Sequence, residues 1–374
     1  MRTGGAIGHA VGLVAGLCRK YGCTPRAVGQ EHFAELREDL HRTDATMLHV
    51  SLPATGDLAR SAQVTASSER LFNQVETGEL VPLLNPLGNL LYDWPARLEA
   101  VDMWLCNLSE SAEPLHLQIL RSTREQRWRP TDNWCKTERT HLAPAQFALL
   151  AETEAIIPAK FEGWFRLALH HPLNLQGKDD ASDDDLLLLK LDANPIVEWA
   201  VAPNASELLE WWEYREEAEE WYPLHAAGAM RLSPAPTLGE ASNVINGWSR
   251  RYSTAPTNMW QTPVGVALPQ TLELNWPEAQ AFSRVVLHFD NMVRMLEENP
   301  WEHGPRAIPF LVRDYVLEVC TQDGWHELAR VTDNCHRFRE HTFAAVSATA
   351  LRLRVTATHG AEQVHIYEIS VFDR

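Results

Sequence analysis

From about residue 48 onward, the chain alternates apolar and polar residues over short runs, which is the pattern of half-buried β-strands. In the first half of this region the runs are Ala62–Ser68, Val101–Cys106, Leu115–Leu120, Gln146–Leu150, Gly163–Leu169, Leu186–Leu191 and Ile196–Ala200. The polar stretch Asn107–Pro114 predicts a turn that joins the second and third runs as an antiparallel pair. Short strands with polar turns between them predict a β-sandwich over residues 48–203, with Ala62–Ser68 as an opening strand.

The same pattern returns near the carboxyl terminus. Its runs are Leu268–Leu274, Ser283–Asp290, Asp314–Val319, Leu351–Thr356 and Ile366–Phe372. Val285, Leu287 and Phe289 alternate with polar neighbours, and Asp323-Gly324 is a hairpin signal. A second β-sandwich is therefore predicted over residues 241–374.

The first 47 residues carry a helical pattern instead. Gly4, Gly8, Gly12 and Gly16 recur every fourth residue, so a helix places them on nearly one face. Each glycine costs a helix about 1 kcal/mol relative to alanine. Either close packing against another element or a helix start that offers free amides to a ligand would account for this ridge. A second helix is predicted over Gln30–Arg42 after the break at Thr24-Pro25.

Residues 204–240 separate the two predicted sandwiches. Glu207–Trp221 interleaves tryptophans with glutamates, which predicts an amphipathic helix whose tryptophans cover the seam between the sandwiches. Leu232–Thr237 has the composition of a linker. The overall expectation is a mainly β protein, with two β-sandwich domains preceded by a short helical hairpin.

Composition excludes some classes of partner. The 374 residues carry a net charge of −17, which disfavours nucleic acid and anionic membrane surfaces. No stretch reaches the ~20 apolar residues of a membrane span. The 14 tryptophans fit both β-sandwich cores and sugar-binding faces.

The remaining chemistry is sparse. The 6 cysteines form no C-x-x-C pair and are interpreted as free thiols of a reducing, cytoplasmic compartment; a Cys320–Cys335 bridge is the alternative. The acidic cluster within Asp179–Asp185 is either a calcium site or a solvated hairpin tip, and its spacing does not match an EF-hand. No hydrolase motif is present.

Two segments resemble known families. Met1–Cys18, Lys20–Pro25 and the short helix after them resemble the end of the flavin domain in a family of bacterial FAD-dependent oxidoreductases, with His9 where that family has Gln. The resemblance implies that Thr3, Gly4 and Gly8 lie against FAD, and it makes His9 a conceivable general base. The family's amino-terminal GxGxxG turn is absent from this chain. We therefore expect a carboxy-terminal portion of such an enzyme, binding FAD only together with an upstream flavin-domain polypeptide and not competent in catalysis alone.

The second resemblance spans residues 241–374. Ala241–Gly247, Trp260, Leu268–Leu274 and Ser283–Asp290 look like the discoidin, or galactose-binding-like, fold. Ligands of that fold usually sit on loops at one end of the sandwich. These loops here offer Trp248, Arg250, Arg251, Tyr252 and Trp260. An aromatic platform with an arginine suits a sugar, although the same residues would also suit packing against the other sandwich. No metal is expected, because Asn246 stands where calcium-binding relatives have Asp.

Two functions therefore compete. The first is the accessory part of an FAD-dependent oxidoreductase. The alternative is a free-standing module that binds carbohydrate or a partner protein.

Overall fold

The structure is a computed structural model that describes residues 2–45, 51–91, 94–122, 144, 147–175, 186–203, 209–224, 226–250, 258–291 and 308–373. The chain divides into two compact units. The terminal unit comprises Met1–Glu69, Gly239–Tyr252 and Asn258–Arg374, and the central unit comprises Arg70–Leu238 and Ser253–Thr257.

The terminal unit begins with three helices, α1 (Arg2–Tyr21), α2 (Pro25–Glu31) and α3 (Phe33–Arg42). Thr24 caps α2, because its side chain accepts a hydrogen bond from the Ala27 amide at 3.3 Å. Leu17, Val28 and Leu36 form a small apolar cluster that joins the helices to one another. The expected helical hairpin is thus a three-helix segment.

The strands of the terminal unit form one seven-stranded antiparallel sheet in the order β13-β18-β14-β17-β15-β16, with β1 beside β14. Their bounds are β1 (Gln63–Ala66), β13 (Trp260–Gln261), β14 (Gln270–Phe289), β15 (Val312–Thr321), β16 (Gly324–Val331), β17 (Phe338–Thr358) and β18 (His365–Phe372). The ladder between β14 and β17 is irregular between Asn275 and Gln280. The first half of β14 pairs with β1 and the second half pairs with β18, so this sheet folds over a single core.

The alternation of side chains along each strand determines which residues enter the core. Val285, Leu287 and Phe289 are fully buried, as the sequence predicts. The Asp323-Gly324 hairpin is also confirmed, since Thr321 pairs with Gly324 and Gly324 has φ +104. Ala62–Ser68 does contain a strand, but that strand pairs with β14. The expectation that it opens the first sandwich was wrong.

The central unit packs two antiparallel sheets around one core. The six-stranded sheet has the order β11-β10-β3-β8-β5-β6, and the five-stranded sheet has the order β12-β4-β9-β2 with β7 beside β4. The bounds are β2 (Leu80–Leu83), β3 (Leu87–Leu91), β4 (Arg97–Asn107), β5 (Glu113–Ser122), β6 (Phe147–Ile157), β7 (Phe161–Asn174), β8 (Leu187–Leu191), β9 (Asn194–Ala200), β10 (Leu209–Arg215), β11 (Glu220–Pro223) and β12 (Met230–Ser233).

Two expectations for the central unit need correction. Strands β4 and β5 exist, but they lie in different sheets and do not pair with each other. Over residues 209–221, its described part, the predicted helix Glu207–Trp221 is instead the hairpin of β10 and β11. Trp211 and Trp212 are adjacent in β10, are 1% and 0% exposed, and belong to separate apolar clusters. Adjacent strand residues point to opposite faces, so burial on both faces of the sheet hid the alternation.

Three further observations complete the fold. Cys18, Cys23, Cys106, Cys320 and Cys335 are free thiols, so the Cys320–Cys335 bridge does not form. Among the described residues, no helix is long and apolar enough to cross a bilayer. The acidic cluster in Asp179–Asp185 lies outside the described residues.

Candidate functional site

A cavity of about 230 Å³ lies within the terminal unit, between α3 and the outer surface of its folded sheet. Because Val285 and Leu287 point into the core, the alternation of β14 turns Arg284, Val286 and His288 to the opposite side. These three residues form one wall of the cavity. Residues 38–42 of α3, the loop 52–56, and residues of β17 and of the end of β18 contribute the rest of its enclosure.

A partly buried carboxylate fixes the end of α3 to this surface. Asp44 follows the helix with φ +62 and accepts hydrogen bonds from Arg337 Nη1 at 3.0 Å and Arg250 Nη2 at 3.5 Å. Burial raises the pKa of Asp44, and the two guanidinium groups partly oppose that rise. The helices are thus docked, through Asp44, on the terminal sandwich.

His288 is the unusual group in the cavity wall. It is 2% exposed, and neither of its ring nitrogens has a hydrogen-bond partner. Burial, and then the charges of Arg337, Arg250 and His41, lower its pKa to about 3. The imidazole is therefore neutral at pH 7, and its 3.7 Å contact with Asp44 is not an ion pair. A neutral imidazole offers one N–H donor and one acceptor nitrogen.

Two ion pairs balance most of the charges around the cavity, and Asp373 adds one further carboxylate. Arg42 contacts Glu38 at 2.7 Å, and Arg284 lies 3.9 Å from Glu340. The guanidinium of Arg284 also stacks over the Phe372 ring at 4.3 Å. The cavity thus combines donors, acceptors and aromatic surface with little net charge. This chemistry suits a neutral polar ligand better than an ion.

A second buried cluster holds the segment that leads out of the cavity loop. Glu368 is 0% exposed; its Oε1 lies 3.0 Å from Arg60 Nη2, and its Oε2 accepts from the Gly247 amide at 2.9 Å. Asp57 accepts from the Val371 amide at 2.8 Å. Burial raises the pKa of Glu368 well above its usual value. These contacts tie residues 57–60 to β18.

The residues predicted to bind a ligand do not come together at this cavity. Trp260 is fully buried in the core, where its Nε1–H donates to the Ser68 carbonyl at 2.9 Å, so its placement on a binding loop was wrong. Arg250 is half-buried and donates a hydrogen bond to Asp44. Trp248 is half-buried, and its backbone amide donates to Asn246 at 2.9 Å. Arg251 and Tyr252 lie outside the described residues.

The residues of the flavin resemblance lie on α1. Gly4, Gly8, Gly12 and Gly16 are uncovered: a Cβ built at any of them would have no atom within 4 Å. The Nε2 atom of His9 lies 2.8 Å from the hydroxyl of Thr43. The side chain of Thr3 is not described. The glycine ridge therefore packs against nothing within the described parts of the chain.

Sequence reasoning missed His288 and Asp44. A signal for His288 was present, because Val285, Leu287 and Phe289 define the core side of β14 and so place His288 opposite. Nothing local indicated that a helix would cover that side. In the described part of the chain, no cluster of His, Cys, Asp or Glu could hold a metal ion.

No protein-family profile and no curated protein matches this chain. Among solved structures it is similar to chitosan-binding module 1 of a chitosanase/glucanase from Paenibacillus sp. IK-5, with 20% identity, a TM-score of 0.27, and 36% of this chain and 86% of that chain covered. The family 32 carbohydrate-binding module of Streptococcus pneumoniae EndoD gives 16% identity and a TM-score of 0.28, with 36% and 86% covered.

A further similar structure is the family 32 module of Clostridium perfringens NanJ in complex with galactose, at 18% identity and a TM-score of 0.27, with 36% of this chain and 85% of that chain covered. Similarity at this level establishes neither the family nor the ligand of this chain. Nothing in the comparisons supports the flavin-oxidoreductase resemblance.

Proposed function

We propose that this protein binds carbohydrate, and that the cavity beneath α3 holds a single sugar residue. The observation that carries the proposal is His288, a buried neutral imidazole with two unpartnered nitrogens in the wall of a cavity with little net charge. A buried polar group without a partner costs free energy, and a ligand hydroxyl can remove that cost because it both donates and accepts. The cavity volume is below the ~300–1,000 Å³ of pockets for drug-sized ligands, which favours one ring over a chain.

Paired charges favour a neutral sugar over a sugar acid or an amino sugar. Glu38 and Arg42 neutralise each other, as do Arg284 and Glu340. Their remaining lone pairs and N–H groups still accept and donate hydrogen bonds to hydroxyl groups. The Phe338 ring, 5.2 Å from the His288 ring, adds apolar surface for the C–H groups of a sugar.

The test is a glycan array followed by titration calorimetry with the best monosaccharide found. His288→Phe keeps a ring of similar shape but removes both nitrogens, so we expect binding to weaken about tenfold, the equivalent of one neutral hydrogen bond. Arg284→Met tests the other end of the same wall and should weaken binding as well. His326→Phe is the matched control, because His326 is exposed on β16 and does not line the cavity. If no glycan binds, or if both cavity variants bind like wild type, the proposal is wrong.

A second candidate function follows from the resemblance to FAD-dependent oxidoreductases. Here α1 would dock its glycine ridge on a flavin-domain polypeptide, with Thr3, Gly4 and Gly8 next to FAD. What supports it is that the ridge is uncovered, while Ile7 and Val11 on the same helix are about 60% exposed. Co-purification with the upstream gene product should give a yellow complex that Gly8→Leu abolishes. Gly29→Leu, at an equally open helical glycine, is the control; a colourless mixture would rule out this candidate.

A further inference from the structure

The central unit presents two tryptophans on the outer face of its five-stranded sheet. Trp104 of β4 and Trp164 of β7 are directly paired across the two strands, with ring centroids 5.6 Å apart and planes at 90°. Val101, Met103 and Leu105 of β4 are fully buried in the core, so alternation turns Asp102 and Trp104 to the other face.

An arginine stacks on one of these rings. The Arg231 guanidinium of β12 stacks on Trp164 at 3.8 Å from the ring centroid. Its Nε atom is buried and has no hydrogen-bond partner. Trp104 and Trp164 are both half-buried, so part of each residue remains accessible. Cation–π stacking of this kind also holds the indole in a fixed orientation.

Polar groups border the aromatic pair. Arg166 is next but one to Trp164 in β7; its Nη1 donates to Asp102 at 3.2 Å and its Nη2 donates to Ser233 at 3.3 Å. The Arg166 side chain is 54% exposed, so it keeps donors for another partner. Within the described residues, neither the Trp104 nor the Trp164 indole N–H has a hydrogen-bond partner in the protein.

We propose that this surface, defined by Trp104, Trp164, Arg166 and Arg231, is a binding site for a neutral polysaccharide chain. An indole ring with an open face stacks on the apolar C–H side of a pyranose, while its N–H and the bordering Arg and Asp bind hydroxyl groups. The surface crosses β7, β4 and β12, a width of roughly 10 Å at normal strand spacing. An open surface of that width accommodates consecutive residues of a chain, unlike the cavity of the terminal unit.

The charge arrangement favours this occupant over a charged polymer or a protein. Asp102 neutralises Arg166, and Arg231 leaves a single positive charge that is stacked on an aromatic ring. The surface thus offers hydrogen bonds and stacking with little net charge. The proposal does not depend on the cavity, because the residues belong to a different unit.

The test is native affinity electrophoresis of the full chain in gels that contain xyloglucan, galactomannan, mixed-linkage β-glucan or β-1,4-galactan. We expect at least one polysaccharide to retard the wild-type protein, and Trp164→Ala and Trp104→Ala to reduce the affinity at least tenfold. Trp325→Ala is the matched control, because Trp325 also carries a stacked arginine, Arg352, at 3.6 Å, but is 38% exposed and lies in the terminal unit. Near-ultraviolet circular dichroism checks that the variants fold.

The outcomes separate this proposal from the proposed function. Retardation that survives His288→Phe but is lost in Trp164→Ala supports a separate site on the central unit. Retardation by none of the four polysaccharides overturns the proposal, as does full retardation of folded Trp164→Ala. It is overturned too if sedimentation shows a wild-type dimer that Trp164→Ala converts to monomer, since the surface would then bind a second copy of the chain.

Discussion

Replacing Arg60 with methionine should destabilise the terminal unit strongly, and by an amount that depends on pH. The change removes the guanidinium but retains an unbranched apolar side chain. It leaves Glu368, 0% exposed, without the cation that lies 3.0 Å from its carboxylate. Breaking a buried ion pair by removing one partner costs about 3–5 kcal/mol, because the remaining charge stays desolvated. We expect a loss of this size at about pH 7.5.

The pH dependence follows from the pKa of Glu368. Burial already raises this pKa above its unfolded value, and Arg60 is the largest influence that lowers it. When the folded-state pKa of a carboxyl is raised, its ionisation destabilises the native state, and this cost is complete above the folded-state pKa. The cost decreases as the pH falls from the folded-state pKa to the unfolded-state pKa, because the carboxyl becomes protonated. Without Arg60 the folded-state pKa rises further. The loss in Arg60→Met should therefore shrink at about pH 5.5, by up to about 2.7 kcal/mol over two pH units.

The assay is urea unfolding followed by hydrogen exchange of peptides from β14 and β18, which reports on the terminal unit alone. Arg330→Met is the control, since Arg330 and Glu327 form an exposed pair in which both side chains are more than 40% accessible, and we expect no measurable change. The double variant with Glu368→Gln should recover stability. The reasoning is refuted if Arg60→Met is no less stable than Arg330→Met at about pH 7.5, or if its loss grows as the pH falls.

Three further outcomes are expected. Trp260→Ala should lower the stability of the terminal unit by about 3–5 kcal/mol, measured by chemical denaturation, because it empties a fully buried site; a near-neutral effect would contradict the core placement. Gly228→Ala should cost the central unit about 1–3 kcal/mol, because the new Cβ would lie 2.6 Å from the Trp199 ring, whereas Gly12→Ala, with no atom within 4 Å, should not destabilise. Residues 1–44 should exchange amide hydrogens faster than the strands, since a small apolar cluster and the ion pairs of Asp44 hold them rather than a strand ladder, and strong protection there would contradict this.

Local patterns were sufficient to locate most strands. Residues 163–169, 186–191 and 314–319 alternate or form short apolar runs, and each lies largely in an observed strand, β7, β8 or β15. A strand's side chains alternate with a period of two whatever its partner is, so the sequence alone carries this signal. The same reasoning identified the core side of β14 and the hairpin between β15 and β16.

Contacts between residues far apart in the chain could not be predicted from these local patterns. The partner of β1, the separation of β4 from β5 and the burial of Trp260 depend on contacts between residues far apart in the chain. The sequence of β10 was wrongly predicted to be helical because both faces of this strand are covered, which removes the alternation that identifies a strand.

The sequence by itself determined a mainly β protein with a glycine-rich helix at its start, because periodicity and backbone preference act within a few residues. Only the tertiary structure decided that α3 covers β14 and encloses His288, and that Trp104 and Trp164 meet on an outer sheet face. Strand pairing and helix docking bring such side chains together, and the free energy of those contacts depends on the whole fold rather than on any segment.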